Sequence, residues 1–287
     1  MSDFRIIANS TCDLPEELLK DLDLTILQLG INIGDEAFRE IPVREFYQKI
    51  RDGAMPKTNA ANVGEYTDVY ESILSEGKDV LNLVFSSGLS TTYNSAVMAA
   101  EEIAEKYPDR KIYVVDTLAA SMGEGLIVHH AAQMRLDGSS IEEVRDWVEE
   151  NKLKVLHYFT INDLEYLKRG GRISEEEAVL GGMLGVKPVL HVDETGHLVR
   201  KEIVRGRQPA LLKIAELLHE NGDDIANQTL YLSHSDCEEE ALWLVEQIKE
   251  KYGVKEVIIN FIGPVIGSHT GVGVMAIFGL GKARTAE

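Results

Sequence analysis

The chain reads as an α/β protein of two domains, the first built on a mainly parallel sheet flanked by helices. Three observations carry this reading. Short apolar runs alternate with longer amphipathic stretches, which is the pattern of βαβ units. The 287 residues suffice for one large domain or two ordinary ones. Hydrophobic residues make up 44% and charged residues 27%, the composition of a globular chain with a full core.

The elements follow in order. Residues 4–8 form a first buried strand, and Asp13 is placed to cap a short helix over 15–21, where Pro15 suits a first turn. Residues 24–33 are apolar and extended in character, and 43–51 and 63–75 read as helices. Residues 79–85 (DVLNLVF) form the next clear strand, 90–107 a long helix with an alanine-rich apolar side, and 111–115 (KIYVV) a further strand. Helices over 119–136 and 141–150 complete a first domain, 1–151.

The second domain, 152–287, is expected to be α/β with a mixed sheet. It opens with a strand at 155–160. Asn162 and Glu165 have the spacing of a capping box for a helix over 163–169 that stops at Gly170-Gly171, and Ser174 and Glu177 repeat that spacing. Residues 186–192 and 198–204 pair as a hairpin around 193–196. Then come a helix at 209–220, a strand at 229–233, a helix at 238–252 and strands at 257–262 and 272–278. No low-complexity linker separates the halves, so they are expected to pack closely.

Composition excludes several function classes. With 29 basic against 48 acidic residues the formal net charge is −19, which opposes general nucleic-acid binding and docking on an anionic membrane. Cys12 and Cys237 are isolated and fit a reducing compartment. The first residues lack the apolar core of a signal peptide, and no apolar run approaches the ~20 residues of a membrane span. The expectation is a cytoplasmic protein.

Common catalytic motifs are missing. The sequence contains no GxxxxGK[ST], no GxSxG and no HExxH, and no His/Asp/Glu group with metal-ligand spacing. Gly271-Val272-Gly273 begins like a dinucleotide fingerprint but no helix follows it.

Four segments carry positive signals. SSGLSTTY (86–93) follows a strand and opens a helix, where free backbone N–H groups attract an anion; Ser87 or Ser90 is equally an ordinary helix cap. TNAAN (58–62) offers hydroxyl and amide groups before a helix that Asn62 is suited to cap. GPVIGSHTGVG (263–273) has four glycines, which permit close approach to a ligand, and His269 as a donor. AVLGGMLGVKPVL (178–190), after the helix end at LKRGGR, suits either an alkyl channel or plain core.

In order along nearly the whole chain, these segments resemble the DegV family. NSTCDLP (9–15) is similar to its opening DST-x-DLP, SSGLSTTYNSA (86–96) to SSGLSGTYQSA, VVDT (114–117) to its VVDS/T turn, and DLEYLKRGGRIS (163–174) is the strongest match. KPVL (187–190) and 263–273 complete the set. Asn9 stands where the family has Asp, Thr91 follows Ser90 in place of a glycine, Val272 replaces a proline, and only Thr58 survives of TSQPS.

The resemblance implies a DegV-like two-domain fold with a long-chain fatty acid, of the palmitate, stearate or oleate class, buried between the domains. It implies that Thr58, Ser90 and His269 hold the carboxylate, with Ser87, Thr91, Ser268 and backbone N–H groups nearby. No other cofactor is implied. A buried carboxylate costs several kcal/mol unless hydrogen-bonded, and a protonated His269 is one candidate donor. A chain of about 16 carbons offers about 12 kcal/mol gross at about 0.8 kcal/mol per methylene.

The resemblance further implies a carrier for phospholipid metabolism, not an enzyme. A separate fatty acid kinase catalytic subunit would convert the acid to an acyl phosphate. Independently of the resemblance, the basic stretch Arg200, Lys201, Arg205, Arg207 and Lys213 stands out in an acidic chain; Arg205, with Arg207, is a candidate contact for that kinase, and the stretch is equally an ordinary solvated helix entry. A monomer is expected, and transient membrane contact is compatible with lipid exchange. Two other readings stand beside this one: a lipid-ester hydrolase or transferase using Ser90 as nucleophile and His269 as base, and a fatty-acid sensor.

Overall fold

The structure, a computed structural model, describes residues 3–174 and 185–285. It is α/β, with a parallel sheet and a mixed sheet, as the alternating pattern predicts.

The first strand, β1 (Phe4–Asn9), is buried almost throughout. A 3-10 turn over Ser10–Cys12 ends on Asp13 in the left-handed region, φ 51°. Helix α1 (Glu16–Asp21) follows with Pro15 at its cap and no side-chain cap bond. The expected Asp13 cap is therefore not formed, because that carboxyl is engaged elsewhere.

The extended stretch divides into β2 (Thr25–Leu27) and β3 (Gly30–Ile33), followed by β4 (Glu36–Phe38). Then come α2 (Val43–Arg51), β5 (Lys57–Asn59), α3 (Val63–Ser75), β6 (Asp79–Val84) and α4 (Thr92–Ala104). β7 (Ile112–Asp116), α5 (Met122–Leu136) and α6 (Ile141–Asn151) complete this part. The parallel sheet runs β2-β1-β6-β7, with Ile6 opposite Leu81 and Leu83 opposite Val115. A small antiparallel sheet, β4-β3-β5, stands apart from it.

Next are β8 (Val155–Thr160), α7 (Glu165–Arg169), β9 (Val186–Val192) and β10 (Leu198–Arg205). α8 (Arg207–Asn221), β11 (Thr229–His234), α9 (Glu238–Tyr252), β12 (Glu256–Phe261), α10 (Pro264–Thr270) and β13 (Met275–Leu280) follow. The mixed sheet runs β10-β9-β8-β13-β11-β12, with only β11 and β12 paired in parallel.

Two sequence expectations shift here. Residues 264–270 are a helix with Pro264 at its first position, so the last strand begins at Met275, not at 272. Asn162 forms no capping box; Asp163 Oδ1 accepts from the Glu165 N–H at 2.9 Å instead. Glu177, which with Ser174 repeats that signature, and most of the segment 178–190 lie outside the described residues.

One apolar cluster joins the two sheets. It takes Ile6 and Leu81 from the parallel sheet, Met122 and Leu126 from α5, and Phe159 and Phe278 from the mixed sheet. α5 is buried around most of its circumference, as expected of a helix shared between two layers.

The Asp13 carboxyl sits at the same junction. It accepts from Ser121 Oγ at 2.6 Å, just before α5, and from the Gly263 N–H at 2.9 Å, just before α10. Its backbone carbonyl accepts from Asn260 Nδ2 at 2.8 Å. Ser121 is held at φ 54°, and its hydroxyl also meets Ser233 Oγ at 2.9 Å. Burial raises the Asp13 pKa to about 7, against the opposing pull of these hydrogen bonds. Nearby Glu124 is fully buried, accepts from Thr11 Oγ1 at 2.8 Å, and is also pushed well up by burial.

Two predictions follow. A Cβ at Gly267 in α10 would lie 2.7 Å from the Tyr47 hydroxyl oxygen and 2.8 Å from a Phe46 ring carbon. Gly267→Ala gains about 0.5–1 kcal/mol of helix propensity, but overpacking costs about 1–3 kcal/mol. A net loss of stability should appear as a lower urea midpoint. Asp13→Asn tests the buried carboxyl. Its folded pKa, about 7, lies above the ordinary 3.8, so its contribution is full at low pH and is lost as pH rises through that window. The stability of wild type relative to Asp13→Asn should therefore fall by a few kcal/mol between about pH 4 and pH 8, at about 1.4 kcal/mol per pKa unit. Denaturation at four pH values reads this; a flat difference would show that Asp13 stays ionised in the folded protein.

Candidate ligand-binding site

A cavity of about 400 Å³ lies where β5, the β6–α4 loop and α10 converge on the mixed sheet. Thr58, Ser87, Ser90, Thr91 and His269 all line it. Much of the remaining wall is apolar and includes Phe85, Leu89, Phe159, Val192, Val274 and Phe278.

Each polar group is placed by local structure. Thr58 sits on β5, paired with Ile31 of β3. Downstream, Asn62 caps α3 in a full capping box with Glu65, as its sequence position predicts. In the β6–α4 loop, Ser86 Oγ donates to the Gly196 carbonyl at 2.8 Å, and the Ser87 N–H donates to Asp116 Oδ1 at 3.1 Å. Ser90 Oγ meets Thr92 Oγ1 at 2.8 Å and accepts from the Thr92 N–H at 3.2 Å. α4 starts two residues later than expected, with Thr91 at its cap position and no side-chain cap bond.

His269 completes the polar end. Its Nε2 lies 2.7 Å from Thr58 Oγ1. Its Nδ1 faces Gly170 so closely that a Cβ there would sit 2.3 Å away. Burial first, then the charges of Arg172 and Arg169, lower its pKa to about 4. The imidazole is therefore neutral near pH 7, unlike the protonated donor considered from sequence.

Arg172 is the lining residue that sequence reasoning passed over, taking LKRGGR as an ordinary helix end. Its Nε donates to the Leu89 carbonyl at 3.1 Å and its Nη1 to the Gly170 carbonyl. It lines the cavity, and among the described residues it has no carboxylate partner. Burial lowers its pKa, the mark of a cation that has lost solvent without gaining an anion.

Other residues singled out from sequence stand elsewhere. Ser268 is buried and outside the lining; its hydroxyl donates to the Pro264 carbonyl at 2.7 Å in its own helix. Arg207 pairs with Glu240 at 2.7 Å, whereas Arg205 is exposed at the end of β10 and makes no ion pair among the described residues. Neither arginine lines the cavity. Asn9 is buried, donating to the Tyr66 hydroxyl at 2.9 Å and accepting from the Phe85 N–H at 3.1 Å. Val272 packs with the Phe46–Tyr47 cluster.

Among the described residues Ser90 has no base in hydrogen-bond contact, and the hydroxyl that meets His269 is that of Thr58. Ser90 is bonded to Thr92 instead, whereas an activated serine needs a base within reach. Among the described residues no group of three His, Cys, Asp or Glu side chains is placed to hold a metal ion. No described helix is long and apolar enough to cross a membrane.

Known proteins share both sequence and fold. The DegV family model, described as an uncharacterised protein family, matches residues 3–282. A DegV domain-containing protein of Clostridium perfringens is 45% identical over 289 residues, 99% of each chain. Among solved structures, a DegV family protein from Thermus thermophilus, described by its fatty acid binding, superimposes with TM-score 0.85 at 32% identity, covering 98% of this chain and 100% of that one. A stearic acid-binding protein from Eubacterium ventriosum superimposes with TM-score 0.87 at 29% identity, covering 96% and 97%. With the family model matching residues 3–282, its motifs in register and its fold shared, the chain belongs to the DegV family.

Proposed function

We propose that the protein is a fatty-acid carrier that buries one long-chain acid and presents its carboxylate to a separate kinase for acyl-phosphate formation. The observation that carries this reading is the cavity itself, apolar along much of its wall, with a contiguous polar cluster of Thr58, His269 and Arg172 beside Ser87, Ser90 and Thr91. Its volume falls within the roughly 300–1,000 Å³ of small-molecule sites. The fatty acids held by the Thermus and Eubacterium relatives support the same ligand class.

The roles divide by chemistry. Thr58 Oγ1, Ser90 Oγ and His269 receive the carboxylate, with Arg172 supplying the nearby positive charge. Ser87 and Thr91 border that end, and Ser268 contributes by its bond within α10. The hydrocarbon tail lies along Phe159, Val274 and Phe278 and supplies most of the affinity, at about 0.8 kcal/mol per methylene. The ligand sits between domains divided near Asn151. The carrier acts as a cytoplasmic monomer, and exposed Arg205 is the residue that meets the kinase; Arg207 is already committed to Glu240. The separation of Ser90 from His269 favours this carrier over the ester hydrolase.

Native mass spectrometry of purified protein, followed by lipid analysis, should find one fatty acid per chain. A ligand-free protein that takes up neither palmitate nor oleate would overturn the reading. Thr58→Ala and His269→Ala should each weaken palmitate binding by about 10- to 100-fold, the worth of a hydrogen bond to a charged group. A carboxylate beside His269 favours imidazolium, so palmitate should raise the His269 NMR titration midpoint above its ligand-free value of about 4. Arg205→Glu should leave binding unchanged and impair phosphorylation by the kinase.

A further inference from the structure

A second, smaller cavity of about 120 Å³ lies beside the first. Leu29 and Val265 line both cavities, so at that point the wall between them is one side chain thick. Leu29 is 3% exposed, and its backbone N–H donates to Ser10 Oγ at 3.1 Å, which fixes the residue in place.

The wall stands at the polar end of the larger cavity. Leu29 immediately precedes β3, whose Gly30 and Ile31 pair with Asn59 and Thr58. Val265 is four residues before His269 on α10 and therefore shares its helix face. Both residues thus flank the Thr58–His269 contact.

Five of the nine residues that line the annex are apolar, and they include both wall residues. Ile31, Ile41 and Pro264 line it together with the wall residues. Ser10, Gln28 and the exposed Arg39 and Glu40 form the rest of its lining; Arg39 is already engaged, donating to the Gln28 carbonyl at 3.1 Å and pairing with Glu65. Its space exceeds the ~10–15 Å³ that one water needs, enough for a small alkyl group.

We infer that Leu29 and Val265 are specificity-determining residues: they close off the annex and so restrict the protein to acyl chains that are unbranched near the carboxylate. This rests on the carrier reading, with the carboxylate at Thr58 and His269. A methyl group near the head meets the wall, while a methyl group at the far end of the chain does not. Shortening either wall residue joins the annex to the main cavity and gives the branch a place.

The test compares binding of hexadecanoic, 3-methylhexadecanoic and 15-methylhexadecanoic acids to wild type, Leu29→Ala and Val265→Ala. Wild type should prefer hexadecanoic acid over its 3-methyl relative by about 10-fold or more, the scale of one misplaced methyl group. Each variant should shrink that ratio several-fold and leave the ratio for the 15-methyl acid unchanged. Circular dichroism checks that each variant is folded, and Val265→Ala approaches the wall from the opposite side should Leu29→Ala fail that check. Equal wild-type binding of hexadecanoic and 3-methylhexadecanoic acids would overturn the inference. So would folded variants that keep the wild-type ratio, or that relax the 15-methyl ratio equally. Failure of wild type to bind any of the three acids would instead sink the carrier reading itself.

Discussion

A carboxyl group taken out of water must find donors, and the Asp13 carboxyl finds them on two segments far from it in sequence. One is the Ser121 hydroxyl at the start of α5; the other is the Gly263 N–H at the start of α10. The same residue's carbonyl holds Asn260 at the end of β12. Much of the candidate site depends on this junction. α10 carries His269, and its opening residues are tied to the turn after β1. Tyr47 adds a further tie by donating to the Ile262 carbonyl at 2.7 Å. Because an unpartnered buried carboxyl is costly, a displaced α10 would lose more than its apolar contacts.

The fold was largely legible because most elements are long enough to show a period. The spans 43–51, 63–75, 155–160 and 238–252 match their helices or strand to the residue. What escaped was short or masked by composition. β4 and β5 are three residues each, too short for an alternation to register. The helix at 264–270 lies in a glycine-rich segment and has no side-chain cap; Pro264 at its first position and Gly271 at its end were the signals that could have found it. Asp13 looked like a helix cap because its local sequence permits one. Its partners, Ser121 and Gly263, are more than a hundred residues away, and no local rule reports them.

The site was legible in a different way. Nothing in the periodicity brings Thr58 to His269, 211 residues apart; only motifs in register with a known family grouped them. That route also placed Ser268 beside the ligand, since a motif names neighbours without saying which way each points. On a helix, adjacent residues face different directions, and Ser268 turns back to its own backbone. Arg172 was passed over for the converse reason. Two glycines and two preceding cations explain LKRGGR fully as a helix end, and its place on the cavity wall depends on Leu89, 83 residues earlier.

On the proposed carrier reading, the electrostatics of the cavity give the ligand its direction. The chain as a whole is strongly acidic, with a net charge of −19, yet the polar end of the cavity is biased the other way. Arg172 borders it without a carboxylate partner among the described residues, and with Arg169 it helps to keep the His269 imidazole neutral. A site that has already lost solvent and carries one uncompensated cation has more to gain from an anion than from a neutral ester. The apolar wall gives no comparable reward to a charged head. A fatty acid entering with its carboxylate toward Arg172 and His269 therefore relieves both the desolvated guanidinium and its own buried charge, whereas the reversed orientation relieves neither. On that reading orientation follows from this imbalance, and affinity from the length of the tail.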